Sequence, residues 1–377
     1  MTQMLADLEA RRSEAQARFE GAKPGRKHPR WLHSRYDEFL PAAPVGAEPA
    51  TADVTFTDGV LAIHAAPDGA RVLPLDADDE VARMHLGAAA DDDAVHDLHM
   101  ATWQQGVLID VQPGANVTLT LTHRGSGTDR VLAHVQDGGR LRLVQRLEAG
   151  GTAFVCTELH AHGAGRIERV LFQDKAPDAR SHSMTFAKAE RDATIDDVHL
   201  AFGAERSRNT TIATAAGAGA HVEMNGLYLT AGTQRSDHWT RVDHAVPDTT
   251  SRELYKGVLA GESRAAFTGN VWVRQDAQRT NAEQENRNLL LSRKALAEST
   301  PQLEIYADDV QCSHGSTVGQ LDDAALFFLR ARGIGQEEAR QMLTQAFAGE
   351  VVERIPDAGL RDEATARIET WFRSRSA

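Results

Sequence analysis

Cys312 and His314 stand two residues apart in the run EIYADDVQCSHGSTVGQLD (304–322), and Cys312 is one of two cysteines among 377 residues. Thiolate and imidazole together suit zinc, copper or iron–sulfur chemistry. A closed site needs about four ligands, so the pair is half of one. If the segment is extended, Val310, Cys312 and His314 project from one face, because strand side chains alternate. Two readings stay open on these residues alone. One is a buried free cysteine beside a hydrogen-bonded histidine; the other is a site that a second subunit completes.

The other cysteine lies in FVCTELHAHG (154–163). In a strand, Cys156, Glu158, His160 and His162 share one face, and Val155, Leu159 and Ala161 the other. Ligands that follow one another on a single face point in parallel and do not converge. The run therefore reads as the outward polar face of a strand. DAQRTNAEQENRNLLLS (276–292) is rich in side-chain amides and reads as a hydrogen-bonded loop. No Walker phosphate loop, Gly-x-Ser-x-Gly elbow, His-Glu-x-x-His or Cys-x-x-Cys pair occurs, so ATP hydrolysis is not expected of this chain.

The elements that must hold these residues are mostly strands. From about residue 113, short alternating apolar runs are each opened by a small or polar turn, as in PGANVTLTLTH, DGGRLRLVQRL and AGGTAFVCTEL. From residue 190 they recur every fourteen residues or so without sequence identity. Near-constant spacing with no helical pattern between fits stacked rungs of two strands, about 27 residues each, better than a hairpin sandwich. VTFTDGVLAIHA (54–65) reads as a hairpin turning at Asp58-Gly59, and residues 76–103 as a weaker helical piece.

Residues 3–19 read as a helix stopped at Gly21. A basic connector follows, in which Trp31, Leu32 and Phe39 are placed to dock on a core. Asp322 is a helix N-cap and Gly333 a C-terminal stop. The next helix is expected to turn Ala339, Met342, Leu343, Ala346 and Phe347 inward. After Pro356, a last helix presents Leu360, Ala364, Ile368, Trp371 and Phe372.

Composition narrows the function. A net charge of −13, from 41 basic and 54 acidic residues, disfavours nucleic acid as a partner because phosphate is repelled. No apolar run approaches the ~18 residues of a membrane span. The N-terminal segment lacks the apolar core of a signal peptide. With only two cysteines, the expected location is the reducing cytoplasm.

Between residues 255 and 348 the chain resembles the C-terminal half of the SufB/SufD family of iron–sulfur cluster assembly scaffolds. The resemblance is carried above all by NRNLLLS (286–292) and PQLEIYADDVQCSHGSTVGQLD (301–322). Its length and two cysteines fit the SufD branch better than the longer, cysteine-richer SufB branch. PGRKHPRWLHSRYDEF near the N-terminus departs from the family's usual stretch, and no role is assigned to it.

The resemblance implies a mainly β fold, a right-handed parallel β-helix flanked by N-terminal and C-terminal helical regions. The expected divisions are 1–50, 51–321 (regular rungs from about 113) and 322–377. It also implies a non-catalytic subunit of a cytoplasmic SufBCD complex. SufB would pair through the β-helix end, and the SufC ATPase would dock on the C-terminal helices. Cys312 and His314 would then lie near the SufB interface and hold a nascent iron–sulfur cluster or iron, the remaining ligands coming from the partner. No tightly bound cofactor is expected in the isolated chain, which could pair with itself. Two rival readings are a SufB-like subunit that itself receives sulfur, against which the cysteine count speaks, and a β-helix carbohydrate-active enzyme, against which 6% aromatics speak.

Overall fold

The computed structural model describes residues 2–24, 29–31, 52–75, 79–88 and 94–374. Half of the chain is strand, wound into a β-solenoid of about eight turns with helices at both ends. The chain enters through α1 (Thr2–Ala22) and a hairpin of β1 (Val54–Thr57) and β2 (Val60–Ile63). The hairpin turns where expected, at Asp58 and Gly59, whose φ values of 48° and 80° suit a tight two-residue turn. Next come β3 (Ala70–Pro74), α2 (Glu80–His85) and α3 (Ala94–Thr102), the two short helices falling in the segment read as weakly helical.

The regular coil starts with β4 (Gln105–Val111), β5 (Asn116–Arg124), β6 (Gly127–Val135), β7 (Arg140–Ala149) and β8 (Thr152–Ala161). It continues with β9 (Arg166–Lys175), β10 (Arg180–Ala189), β11 (Thr194–Ala201), β12 (Arg206–Ala215) and β13 (His221–Thr230). The last strands are β14 (Arg235–His244), β15 (Thr250–Leu259), β16 (Arg264–Val273), β17 (Thr280–Leu290), β18 (Leu296–Ile305) and β19 (Val310–Gly319). Odd-numbered strands from β5 stack in parallel as one sheet, continued by β1 and β2, and even-numbered strands from β4 stack as the other, continued by β3. Register partners across one coil step are 24 to 32 residues apart in the chain, which brackets the spacing read from the turns.

One corner shows why the turns look alike without being identical. Gly114, Gly138, Ala164, Asp192, Gly219, Asp248 and Arg279 all have φ between 55° and 79°. Each donates its backbone N–H to a carbonyl one coil further on, as Gly138 does to Gly163 at 2.9 Å and Asp192 to Ala218 at 3.0 Å. The inter-coil ladder therefore runs through the corner and leaves few backbone groups orphaned. The geometry needs a left-handed residue, which glycine adopts without strain and a short polar residue tolerates, while Ala164 and Arg279 take it at some backbone cost.

Three layers of apolar contact follow. Inside the coil, Ile109, Leu119, Leu143, Ala161, Ile195, Val222 and Phe267 form a continuous core. On the outer face of the odd-strand sheet, Phe172, Leu200, Leu227 and Val258 pack against α5 (Gln336–Val352) and α6 (Ala358–Arg373). On the even-strand sheet, Phe154, Cys156, Met184 and Phe186 lie under Trp31 and under Val95 of α3. Trp31 thus docks as expected, whereas Leu32 and Phe39 lie outside the described residues.

The C-terminal helices carry one correction. Asp322 caps α4 (Asp323–Arg330), accepting from the Ala324 N–H at 2.8 Å, and Gly333, with φ of 87°, turns the chain away. Ala364, Ile368 and Trp371 of α6 are buried as anticipated. In α5, Ala339 is buried and Phe347 packs on the core as expected, but the face turned to the sheet continues through Ala348, Val351 and Val352, while Met342 and Ala346 are exposed. The buried Lys256 pairs with Glu350 and donates to the Phe347 carbonyl at 3.0 Å, which ties this side of the helix to the coil.

Candidate functional site at the open end of the solenoid

The last coil is made of β18 and β19, and each ends its sheet. Both are ten residues long and, among the described residues, each has one edge without a strand partner. Pro301, inside β18, lacks an N–H and is tolerated in such an edge strand. Tyr306 (59% exposed) and Val318 (46%) are large apolar side chains left on this end. A long, partly apolar edge of this kind templates pairing with another chain unless something covers it.

The register places both sequence-predicted site residues here. Cys312 pairs with Ala282 of β17, and His314 with Gln284. Ala282 is fully buried in a small core with Val271, Val273, Ala277 and Ala307, and Cys312 packs against that core. Cys312 and His314 thus share the face that points into the bore, as period-two alternation predicts. Beneath Cys312 the bore is closed by Ala282. His314 is exposed because no further coil covers it.

Burial pushes the Cys312 thiol up from its ordinary value, partly offset by a backbone hydrogen bond at Ala282. It rests as a thiol, and a bound metal would have to displace its proton. Cα atoms two residues apart in a strand are separated by about 6.6–6.8 Å. The pair supplies two donors where cluster sites use four. Across the bore, Ser316 Oγ donates to Ser299 Oγ at 2.8 Å, tying β19 to β18 beside the pair.

Below His314 runs a polar ladder. Gln284 sits one strand under it and donates to Glu253 Oε2 at 2.6 Å. Asn286 donates to the Tyr228 hydroxyl at 3.0 Å and to the Tyr255 carbonyl at 3.1 Å, and Tyr228 donates to Asn288 at 2.6 Å. Most of the amide-rich run is therefore strand β17, with Gln284, Asn286 and Asn288 turned into the bore, rather than the loop expected of it. The amides are needed because the bore at this level is filled with hydroxyls and a carboxyl, and buried polar groups must be paired.

The second sequence-predicted run lies elsewhere. Cys156, on the outer face of the even-strand sheet, is fully buried beneath Trp31 and Val95, and burial pushes its thiol up to about 12. Glu158 on the same face pairs with the buried Arg130 at 2.5 Å. His160 and His162 do point outward, but under α2, where they meet His134 and His85. Neither of the latter stood out in the sequence. The signal was the coil spacing itself, because His134 and His160 are register partners.

The family model for the SufBD core domain of the SUF iron–sulfur cluster assembly system matches residues 118–347, most of the solenoid and part of the helical tail. The chain belongs to the SufB/SufD family. An iron–sulfur cluster assembly SufBD family protein of Mycobacterium bovis is 32% identical over 271 residues, 69% of this chain and 68% of that one. The SufD of Escherichia coli is 39% identical over 177 residues, 47% of this chain and 42% of that protein. The SufD of Bacillus subtilis is 32% identical over 163 residues, covering 43% and 37%. The chain thus matches less than half the length of the two SufD proteins. Cys312, His314 and the polar ladder beneath them all fall inside the matched SufBD core.

Proposed function

We propose that this chain is a non-catalytic scaffold subunit of a cytoplasmic iron–sulfur cluster assembly complex. The observation that carries the proposal is the open last coil, with Cys312 and His314 facing its mouth in a member of the SufB/SufD family. A SufB-type partner adding its own last strands to β18 and β19 would cover both edges and bring the missing ligands. The nascent cluster or iron is cargo of this interface, held by Cys312 and His314 on one side and the partner on the other. In the isolated chain a second copy could cover the same edges.

The helical tail suits the docking of a SufC-type ATPase. α4 has no buried residue, and Phe327 and Phe328 are 74% and 54% exposed. Behind it, α5 and α6 are fastened to the coil. Arg146 grips Glu363 at 2.5 and 2.8 Å, Arg142 reaches Asp357 at 3.1 Å, and Arg354 reaches Glu223 at 3.3 Å. A force on the tail is thus delivered to the sheet rather than absorbed in a loose linker. ATP-driven closure of the partner would favour one state of the last coil over another through that contact. The buried, protonated Cys156 favours this reading over a sulfur-receiving subunit, which needs an accessible thiolate.

The test is a tagged pull-down from the native cytosol with the bound proteins identified by mass spectrometry. Recovery of an ABC-type ATPase together with a longer, cysteine-richer relative of this chain supports the scaffold. Recovery of the chain alone at every salt concentration overturns it.

A further inference from the structure

We propose that His85, His134 and His162 form a binding site for one divalent transition-metal ion of the zinc class, far along the solenoid from the open end. One ligand atom from each of the three lies within 4.8 Å of the others. The rings stand close, with centroids 4.6 Å apart for His85 and His134, 4.7 Å for His134 and His162, and 5.2 Å for His85 and His162. Three separate elements supply them: α2, strand β6, and the corner after β8. Ligands from neighbouring coils and an overlying helix converge, as ligands along one strand cannot.

Two of the three imidazoles are already oriented by carboxylates. His134 Nδ1 lies 2.7 Å from Asp110 Oδ1, and His162 Nδ1 lies 2.9 Å from Glu190 Oε2. A donating Nδ1 leaves the lone pair on Nε2 for a metal, which is the usual histidine–carboxylate support of zinc ligands. Asp110 is itself held by Arg71 at 2.6 Å, and Glu190 by Lys188 at 3.2 Å. The His162 Nε2 atom is buried and has no hydrogen-bond partner among the described residues. A buried acceptor left unmade is costly, and a cation satisfies it.

His85 is the movable ligand. It is half-buried at the end of the six-residue α2, and its ring must close on the other two for zinc–nitrogen bonds of about 2.0–2.1 Å. Burial and the neighbouring histidines lower its pKa to about 4, so it is a neutral ligand at pH 7. Three histidines leave one coordination position open, for water or an exogenous donor. His160, whose ring centroid is 5.0 Å from that of His85, lines that side.

The experiment is a titration of the chelator-stripped full-length protein with Co2+, read by visible absorption, followed by displacement with Zn2+. One equivalent of Co2+ with nitrogen-dominated absorption, released by one equivalent of Zn2+, is expected. His85→Ala removes a half-buried ring without touching the coil and should weaken binding at least tenfold. Glu190→Gln should weaken it about 10- to 100-fold through His162. A Cys312→Ser/His314→Ala variant should keep the full equivalent, which separates this site from the open end. Circular dichroism and unfolding curves on each variant confirm that it is folded. The proposal is overturned if no Co2+ binds, or if folded His85→Ala and His162→Ala proteins both bind like the parent.

Discussion

Gln284 donates its amide to Glu253 at 2.6 Å, one coil step apart, and His314 takes the next place on the same ladder. Glu253 is buried, and burial pushes its carboxyl up to about 7 despite the hydrogen bonds that oppose the shift. An acid whose folded pKa stands above its unfolded value of about 4.3 holds more protons folded than unfolded between the two. Its contribution is therefore full below about pH 4 and is lost as the pH rises to about 7. Glu253→Gln removes the titration and keeps the shape. The variant should match the parent near pH 4 and exceed it by about 2–4 kcal/mol at pH 8. Urea denaturation at the two pH values decides; the same difference at both would show that the carboxyl ionises without cost.

Arg130 and Glu158 make a second buried pair, at 2.5 Å and with both side chains fully enclosed. Glu158 also accepts from the Gly87 N–H at 2.7 Å, which anchors the turn after α2. Arg130→Met strands a carboxylate and should cost about 3–5 kcal/mol. Adding Glu158→Leu should recover much of that loss, because the double change leaves no unpaired charge. Denaturation midpoints of the single and double variants test the pair, and a double variant no better than the single would refute it.

These pairs show what was legible in the sequence and what was not. Turn residues recur at most corners because most of them, such as those at Gly138, Asp192 and Gly219, use a left-handed residue, so the coil could be read from spacing. Arg130–Glu158, Arg169–Asp197 and Arg208–Asp237 are separated by 28, 28 and 29 residues. Such partners look unrelated until the coil length is known, and then they fall one step apart. Cys312 and His314 were legible as a same-face pair because that needs only alternation. Their exposure at the last coil was not, since it depends on which strand ends each sheet. The amide run reads as loop because Asn favours turns, yet the polar bore takes Gln284, Asn286 and Asn288 in β17. In α5 only Met342 and Ala346 of the expected stripe face out, because the side that meets the coil through Ala348, Val351 and Val352 is a tertiary choice that periodicity does not contain.

The role of the open end is tested at Cys312 and His314. His314→Ala changes an exposed side chain and should leave stability within about 0.5 kcal/mol. Cys312→Ser should cost little more, as the thiol is only half-buried. Both should lower the yield of iron–sulfur cluster in the complex reconstituted anaerobically, with the complex itself still forming. Iron and sulfide content per complex is the readout. Unchanged content in both variants, with normal assembly, would remove these residues from the site.

The helical tail is tested at Phe327 and Phe328. Both are exposed on α4, and α4 buries none of its residues. Exposed aromatics contribute almost nothing to the stability of the free chain, so Phe327→Ser/Phe328→Ser should unfold at the parent's denaturant concentration. At an interface the same rings become anchors, where truncation typically costs more than 2 kcal/mol of binding. The double variant should therefore lose the ATPase from the pull-down while keeping the partner that joins at the last coil. Loss of both partners together would mean that α4 supports the open end rather than docking a separate subunit. Retention of both would place the ATPase on a different surface.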